Sequence, residues 1–183
     1  MTQFVAVIVI AVLASSAVAV GISMMITGPE GPEGPQGEPG IGFEPTGYIS
    51  IDASAFHPGY TTDVAYAGGV LRNMDTKTVY FFASVQLPQG ATVTNITGYW
   101  YDSDSSNNLV CRLSQGSMGV VYKMAEVSST GSDGYGSDLE TTIDYATVDN
   151  SQYSYTLIVT IPTLSNFNAL EFYSVTIGFE YPT

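Results

Sequence analysis

Basic side chains are nearly absent. Four of them (Arg72, Lys77, Arg112 and Lys123) stand against 17 Asp plus Glu, for a formal net charge of −13. With no basic patch to displace counterions from phosphates, nucleic-acid binding is excluded, and the acidity opposes electrostatic adhesion to an anionic lipid surface. Cys111 is the only cysteine, so no intrachain disulfide can form and stability must come from packing, sheet hydrogen bonds or assembly. Its expected place is a strand, as a small buried hydrophobe. Histidine is equally scarce: His57 stands alone, beside Pro58 and Gly59 in an expected turn. A catalytic triad or an imidazole metal site would rest on that one residue, so the chain reads as a non-enzyme with no cofactor. Charged residues make up only 11% of a chain rich in Tyr, Thr, Ser, Gly and Val, a composition of exported surface proteins rather than cytosolic enzymes.

Charge is missing altogether from Phe4 to Ile26. As a helix these residues would reach about 34 Å, enough to span a bilayer. The first Lys or Arg is Arg72, so the basic opening of a secretory signal peptide is lacking, although Ala17-Val18-Ala19 offers a small-x-small site. Two readings remain, a single-pass anchor and a mature subunit whose leader was removed before Met1. Ala6, Ala11, Ala14, Ala17 and Gly21, with Ser15 and Ala19, would let such helices approach closely and bundle. The run Met1-Thr2-Gln3-Phe4-Val5-Ala6-Val7-Ile8-Val9-Ile10-Ala11-Val12-Leu13-Ala14 and the small residues after it resemble the N-terminal helix of archaeal type IV pilins. In that family the helix anchors the subunit in the membrane and then packs in the filament core. Val5 stands where bacterial members usually carry Glu, and archaeal members often lack that acid.

Residues 28–46 form a Gly/Pro connector. Gly28-Pro29-Glu30, Gly31-Pro32-Glu33, Gly34-Pro35-Gln36 and Gly37-Glu38-Pro39 have collagen-type periodicity. They fit either a short triple helix or an extended polyproline spacer of about 3.1 Å per residue.

The remainder, 47–183, is expected to be one domain of mainly β structure: an antiparallel, jelly-roll-like β-sandwich carried on the hydrophobic helix of 1–27. Strands are expected at 48–53, 64–71, 78–86, 92–101, 109–114, 119–127, 153–161 and 170–181, with a less regular one at 139–145. Turns are expected at 87–90, 102–108 and 132–136. Alternation puts Tyr153, Tyr155, Leu157, Val159 and Ile161 on one face, expected to be core. Gln86-Leu87-Pro88-Gln89-Gly90-Ala91-Thr92-Val93, Tyr99-Trp100-Tyr101-Asp102-Ser103-Asp104 and Val148-Asp149-Asn150-Ser151-Gln152-Tyr153-Ser154-Tyr155 resemble a widespread kind of secreted jelly-roll domain, which implies a fold and no activity.

Candidate sites are few. Asp102, Asp104 and Asn107 in one loop offer oxygen ligands for calcium, as do Asp133, Asp138 and Glu140 in a second, but without the EF-hand spacing; Asx turns explain both without a metal. Paired carboxylates with Tyr or Trp100 would suit sugars. Asn95-Ile96-Thr97 is a complete N-glycosylation sequon. The leading expectation is a structural subunit of an extracellular, pilus-like filament, self-associating through bundled helices with acidic heads outside. A membrane-anchored surface or virion spike, trimeric through the collagen-like stalk, is the alternative. A carbohydrate-binding head in contact with surface glycan is the third.

Overall fold

The computed structural model describes residues 46–60, 64–66, 69–131 and 134–182. All lie in the second of two units into which the chain divides, Phe43–Thr183. The apolar segment with Ala6, Ala11, Ala14, Ala17 and Gly21, and the Gly/Pro connector up to residue 45, lie outside the described residues. No described helix is long and apolar enough to cross a membrane.

The described chain runs through β1 (Thr46–Asp52), β2 (His57–Pro58), β3 (Val64–Tyr66), β4 (Leu71–Asn73), β5 (Val79–Val85), β6 (Thr92–Asp102), β7 (Val110–Ser117), β8 (Val120–Ser128), β9 (Gly134–Glu140), β10 (Ser154–Ile161) and β11 (Leu170–Glu180). One sheet has the order β3-β4-β11-β6-β9, with β1 also pairing β11; the other has the order β2-β5-β10-β7-β8. Every pairing is antiparallel. The result is the expected antiparallel β-sandwich.

Period-two patterning explains why. In β5, Val79, Phe81, Ala83 and Val85 are buried while Tyr80, Phe82 and Ser84 are exposed. In β10, Tyr155, Leu157, Val159 and Ile161 face the core as expected, and Tyr153 just before the strand is half-buried. Side chains alternate between the faces of a strand, so each sheet can bury one face against the other. Phe56 packs edge-to-face on Phe172 between the sheets, ring centroids 5.2 Å apart, and both are fully buried. Cys111 is buried as expected, and burial pushes its thiol pKa upward by disfavouring the thiolate.

Three expectations are corrected. The strand at 64–71 is split into β3 and β4, paired as Val64↔Asn73 to Tyr66↔Leu71, with Gly69 at φ +78° before the return strand. A left-handed residue of that kind ends a strand, and glycine takes it without a Cβ penalty. The strand at 139–145 lies earlier, at Gly134–Glu140, absorbing part of the turn expected at 132–136. Gly136 is what the pattern could not show: a Cβ there would stand 3.2 Å from Trp100 Nε1, so a side-chain-free residue lets the strand close on the indole. Beyond it, Glu140 Oε1 accepts from Thr142 N at 2.5 Å and turns the chain. Lastly, His57 and Pro58 form no turn but a two-residue strand beside β5.

Asn73 ties the sheets together. On β4 of the first sheet, and fully buried, its Nδ2 donates to the carbonyls of Lys77 (2.8 Å) and Ile161 (2.9 Å), the latter ending β10 of the second sheet. Its Oδ1 accepts from Asp75 N at 2.8 Å. Truncating it orphans buried carbonyls, so Asn73→Ala is expected to cost about 2–4 kcal/mol in urea melts. Thiol labelling of Cys111, negligible in the native protein, should quicken in the same variant as global opening becomes more frequent.

Candidate functional site: a groove on the five-stranded sheet

The core consumes the inner faces, which leaves the outer ones for recognition. On the outer face of the second sheet the register lines up five strands in one row. His57 pairs Phe82, Phe82 pairs Ile158, Ile158 pairs Arg112, and Arg112 pairs Glu126. Directly paired residues share a face, so imidazole, phenyl ring, aliphatic chain, guanidinium and carboxylate form a strip across the sheet.

Hollows flank this strip on either side. One of about 400 Å³ is lined by Tyr80, Val110 and Thr160 together with Phe82, Ile158, Arg112 and Glu126. The other, about 210 Å³, shares Phe82 and Ile158 and adds Ser114, Val121, Ser154 and Thr156. The two hollows meet at Phe82 and Ile158 and together form the groove of this face. Its rings are open to solvent, with Tyr80 47% and Phe82 39% exposed. Phe82 is held in place because Gly59 has no side chain; a Cβ there would collide with the ring.

Polar chemistry in the groove is fixed rather than free. Arg112 Nε donates to Glu126 Oε2 at 2.7 Å, and a second nitrogen lies 2.6 Å from the same oxygen. An ion pair this exposed stabilises the fold little, but it neutralises the groove locally and presents a planar guanidinium edge. The Ser114 hydroxyl is buried at the floor with no hydrogen-bond partner. The arrangement offers aromatic faces, hydroxyls and one neutralised charge pair, which suits binding an uncharged, partly apolar surface.

The residues singled out from the sequence are placed elsewhere or at the margin. His57 is exposed at the edge of the strip. Asp104 is occupied as a turn cap: its Oδ1 accepts from Ser106 N (2.7 Å) and Asn107 N (2.9 Å), and the bond from Ser106 leads in lowering its pKa. Asp102 is buried and its Oδ1 accepts from Asp104 N at 2.9 Å. Thus Asp102, Asp104 and Asn107 are chained by local turn bonds. Asp133 lies outside the described residues, Asp138 Oδ1 accepts from Leu139 N, and Glu140 turns the chain at Thr142. Among the described residues no three His, Cys, Asp or Glu side chains gather as a metal site. Asn95 and Thr97 are half-buried on the outer face of β6, with buried Ile96 between them pointing inward. The Asn95 amide lies over Gly178, where a Cβ would collide with it.

The groove does not stand out in the sequence pattern. The available signal was a second row of large aromatics, Tyr80 and Phe82, on the face of β5 opposite Phe81.

No family model matches the chain, and no curated protein does. Among solved structures, it is similar to the C-terminal CBM6 of LamC, a laminarinase from the marine Zobellia galactanivorans. The identity is 12% and the TM-score 0.48, over 72% of this chain and 98% of that one. A family 35 carbohydrate binding module from Clostridium thermocellum is similar at 9% identity and a TM-score of 0.43, covering 72% and 97% of the two chains. A GH26-CBM35 β-(1,4)-mannanase from Podospora anserina is similar at 11% identity and a TM-score of 0.45, over 75% of this chain; the match spans 28% of the mannanase.

Because Phe82 and Arg112 stand on the solvent face, Phe82→Ala and Arg112→Ala are each expected to cost about 1 kcal/mol or less in urea melts. A larger loss would mean that the strip is part of the structural core.

Proposed function

We propose that the protein is a non-catalytic surface subunit whose jelly-roll-like head contacts extracellular glycan through the groove on the five-stranded sheet. The observation that carries this reading is the row of Phe82, Ile158 and the Arg112–Glu126 pair beside Tyr80, aromatic faces left open to solvent next to fixed polar groups. Sugar rings present apolar C–H faces and a polar rim, which such a strip complements. Glu126 is held against Arg112, so the groove offers no free pair of carboxylates of the kind glycoside hydrolysis uses.

Binding of the detergent-solubilised full chain to an array of neutral and acidic oligosaccharides tests this. Binding to neutral glycans is expected, weakened about tenfold or more by Phe82→Ala, which corresponds to about 1.4 kcal/mol. A chain that binds no glycan, or binds equally well without the ring, does not use the groove in this way.

A second reading concerns display and rests on the uncharged run from Phe4 to Ile26. We propose that the chain assembles through this segment as a pilus-like filament subunit at the cell surface. A charge at Ala14 would be desolvated and repelled by copies of itself in a filament core. Ala14→Arg is therefore expected to abolish filaments seen by electron microscopy of sheared surface material. If mild detergent releases only monomers or trimers and no filament is seen, the anchored spike replaces the filament.

A further inference from the structure

A second polar cleft lies apart from the groove, at the β6–β9 margin of the first sheet. Its volume is about 260 Å³, and Trp100, Asp102, Thr130 and Asp138 line it, with the backbone of Gly134 and Gly136. Asp102 is the unusual member. Its side chain is on the inward face of β6, the residue is 2% exposed, and only Oδ1 is bonded, while Oδ2 is buried with no partner. A buried carboxylate oxygen left without a donor is costly, and the groups around it do not repay that cost. Among the described residues no Lys, Arg or His lines the cleft, and the other charged group described there, Asp138, carries the same sign.

We propose that this cleft takes a hard divalent cation of the calcium class, with Asp102 Oδ2 as its anchoring ligand. Calcium accepts carboxylate, hydroxyl, carbonyl and water oxygens in flexible geometry, and the cleft supplies a carboxylate, the Thr130 hydroxyl and glycine backbone. In the register Asp102 pairs Gly134 while Asp138 pairs Gly98, so the two acids stand about 13 Å apart along the ladder. Asp138 therefore acts through negative potential and intervening water rather than as a shared ligand. A single inner carboxylate implies weak binding, in the range of about 0.1–1 mM typical of extracellular calcium modules. The ligand set differs from Asp102, Asp104 and Asn107, since Asp104 is consumed by its turn.

Trp100, the only tryptophan in the chain, lines the same cleft and supplies a localised reporter. Terbium, a luminescent stand-in for calcium, is added to the detergent-solubilised full chain and excited at the red edge of indole absorption, where tyrosine is silent. Sensitised emission is expected, displaced by millimolar calcium and lost in Asp102→Asn. Calcium at ten times its dissociation constant should also raise the melting temperature over that in chelator by about 3 °C or more. Should Asp102→Asn fail to fold, Thr130→Ala on an exposed residue replaces it, with terbium binding expected to weaken severalfold. Absence of sensitised emission, or emission that neither substitution changes, overturns the proposal.

Discussion

Every strand of the sandwich has two faces and only one core to fill, and this constraint governs the rest of the molecule. With one cysteine the head has no intrachain disulfide, and the helix among its described residues is a single 3-10 turn, Ala53–Ala55, too short to form a layer over the sheets. The inner faces must therefore carry nearly all the apolar burial, and they do so with residues such as Phe81, Leu157, Phe172 and Ile177, all fully buried. What the outer faces display is then free of packing duty. Tyr80 and Phe82 standing outside β5 are conspicuous for that reason, because the fold does not require them there.

Polar groups are managed by the same economy. Asn73 spans from one sheet to the end of the other and donates to the carbonyls of Lys77 and Ile161. Asp52, Asp104 and Asp149 each bond the backbone N–H two residues on, the Asx arrangement that closes a turn without help from elsewhere. All three have lowered pKa values, led by the backbone bonds from Ser54 and Ser106 at Asp52 and Asp104 and by the Ser151 hydroxyl, ahead of its N–H, at Asp149. Their contribution is thus present above the ordinary carboxylate pKa and fades as pH falls through the lower folded values. Asp102 is the exception, bonded through one oxygen and bare at the other.

How far the sequence could be read follows from what each feature depends on. Strands such as β5, β6 and β10 are local patterns, and alternation in Tyr155, Leu157, Val159 and Ile161 suffices to find them and to orient them. β9 defeats the pattern because its first residues are Gly134, Tyr135 and Gly136, turn-like in composition, and their extended form belongs to a pairing with β6 in which Gly136 lies against Trp100. The groove depends on register: His57, Phe82, Ile158, Arg112 and Glu126 come from five strands and meet only once the pairings are fixed. In the acidic loop the residue types and the Asx turn that Asp104 closes were legible, whereas the burial of Asp102 was not, since it follows from where β6 ends.

The first and last strands of the head are neighbours. β1 lies antiparallel to β11 over seven residue pairs, from Thr46↔Glu180 to Asp52↔Ser174, and β11 in turn pairs β6 at the centre of its sheet. A pull applied at Thr46 along the strand axis loads that ladder in shear, so its bonds share the tension and must yield together. Tension applied across the sheet would peel them one at a time. The sandwich is therefore mechanically anisotropic, resisting a pull along β1 more than one directed across it.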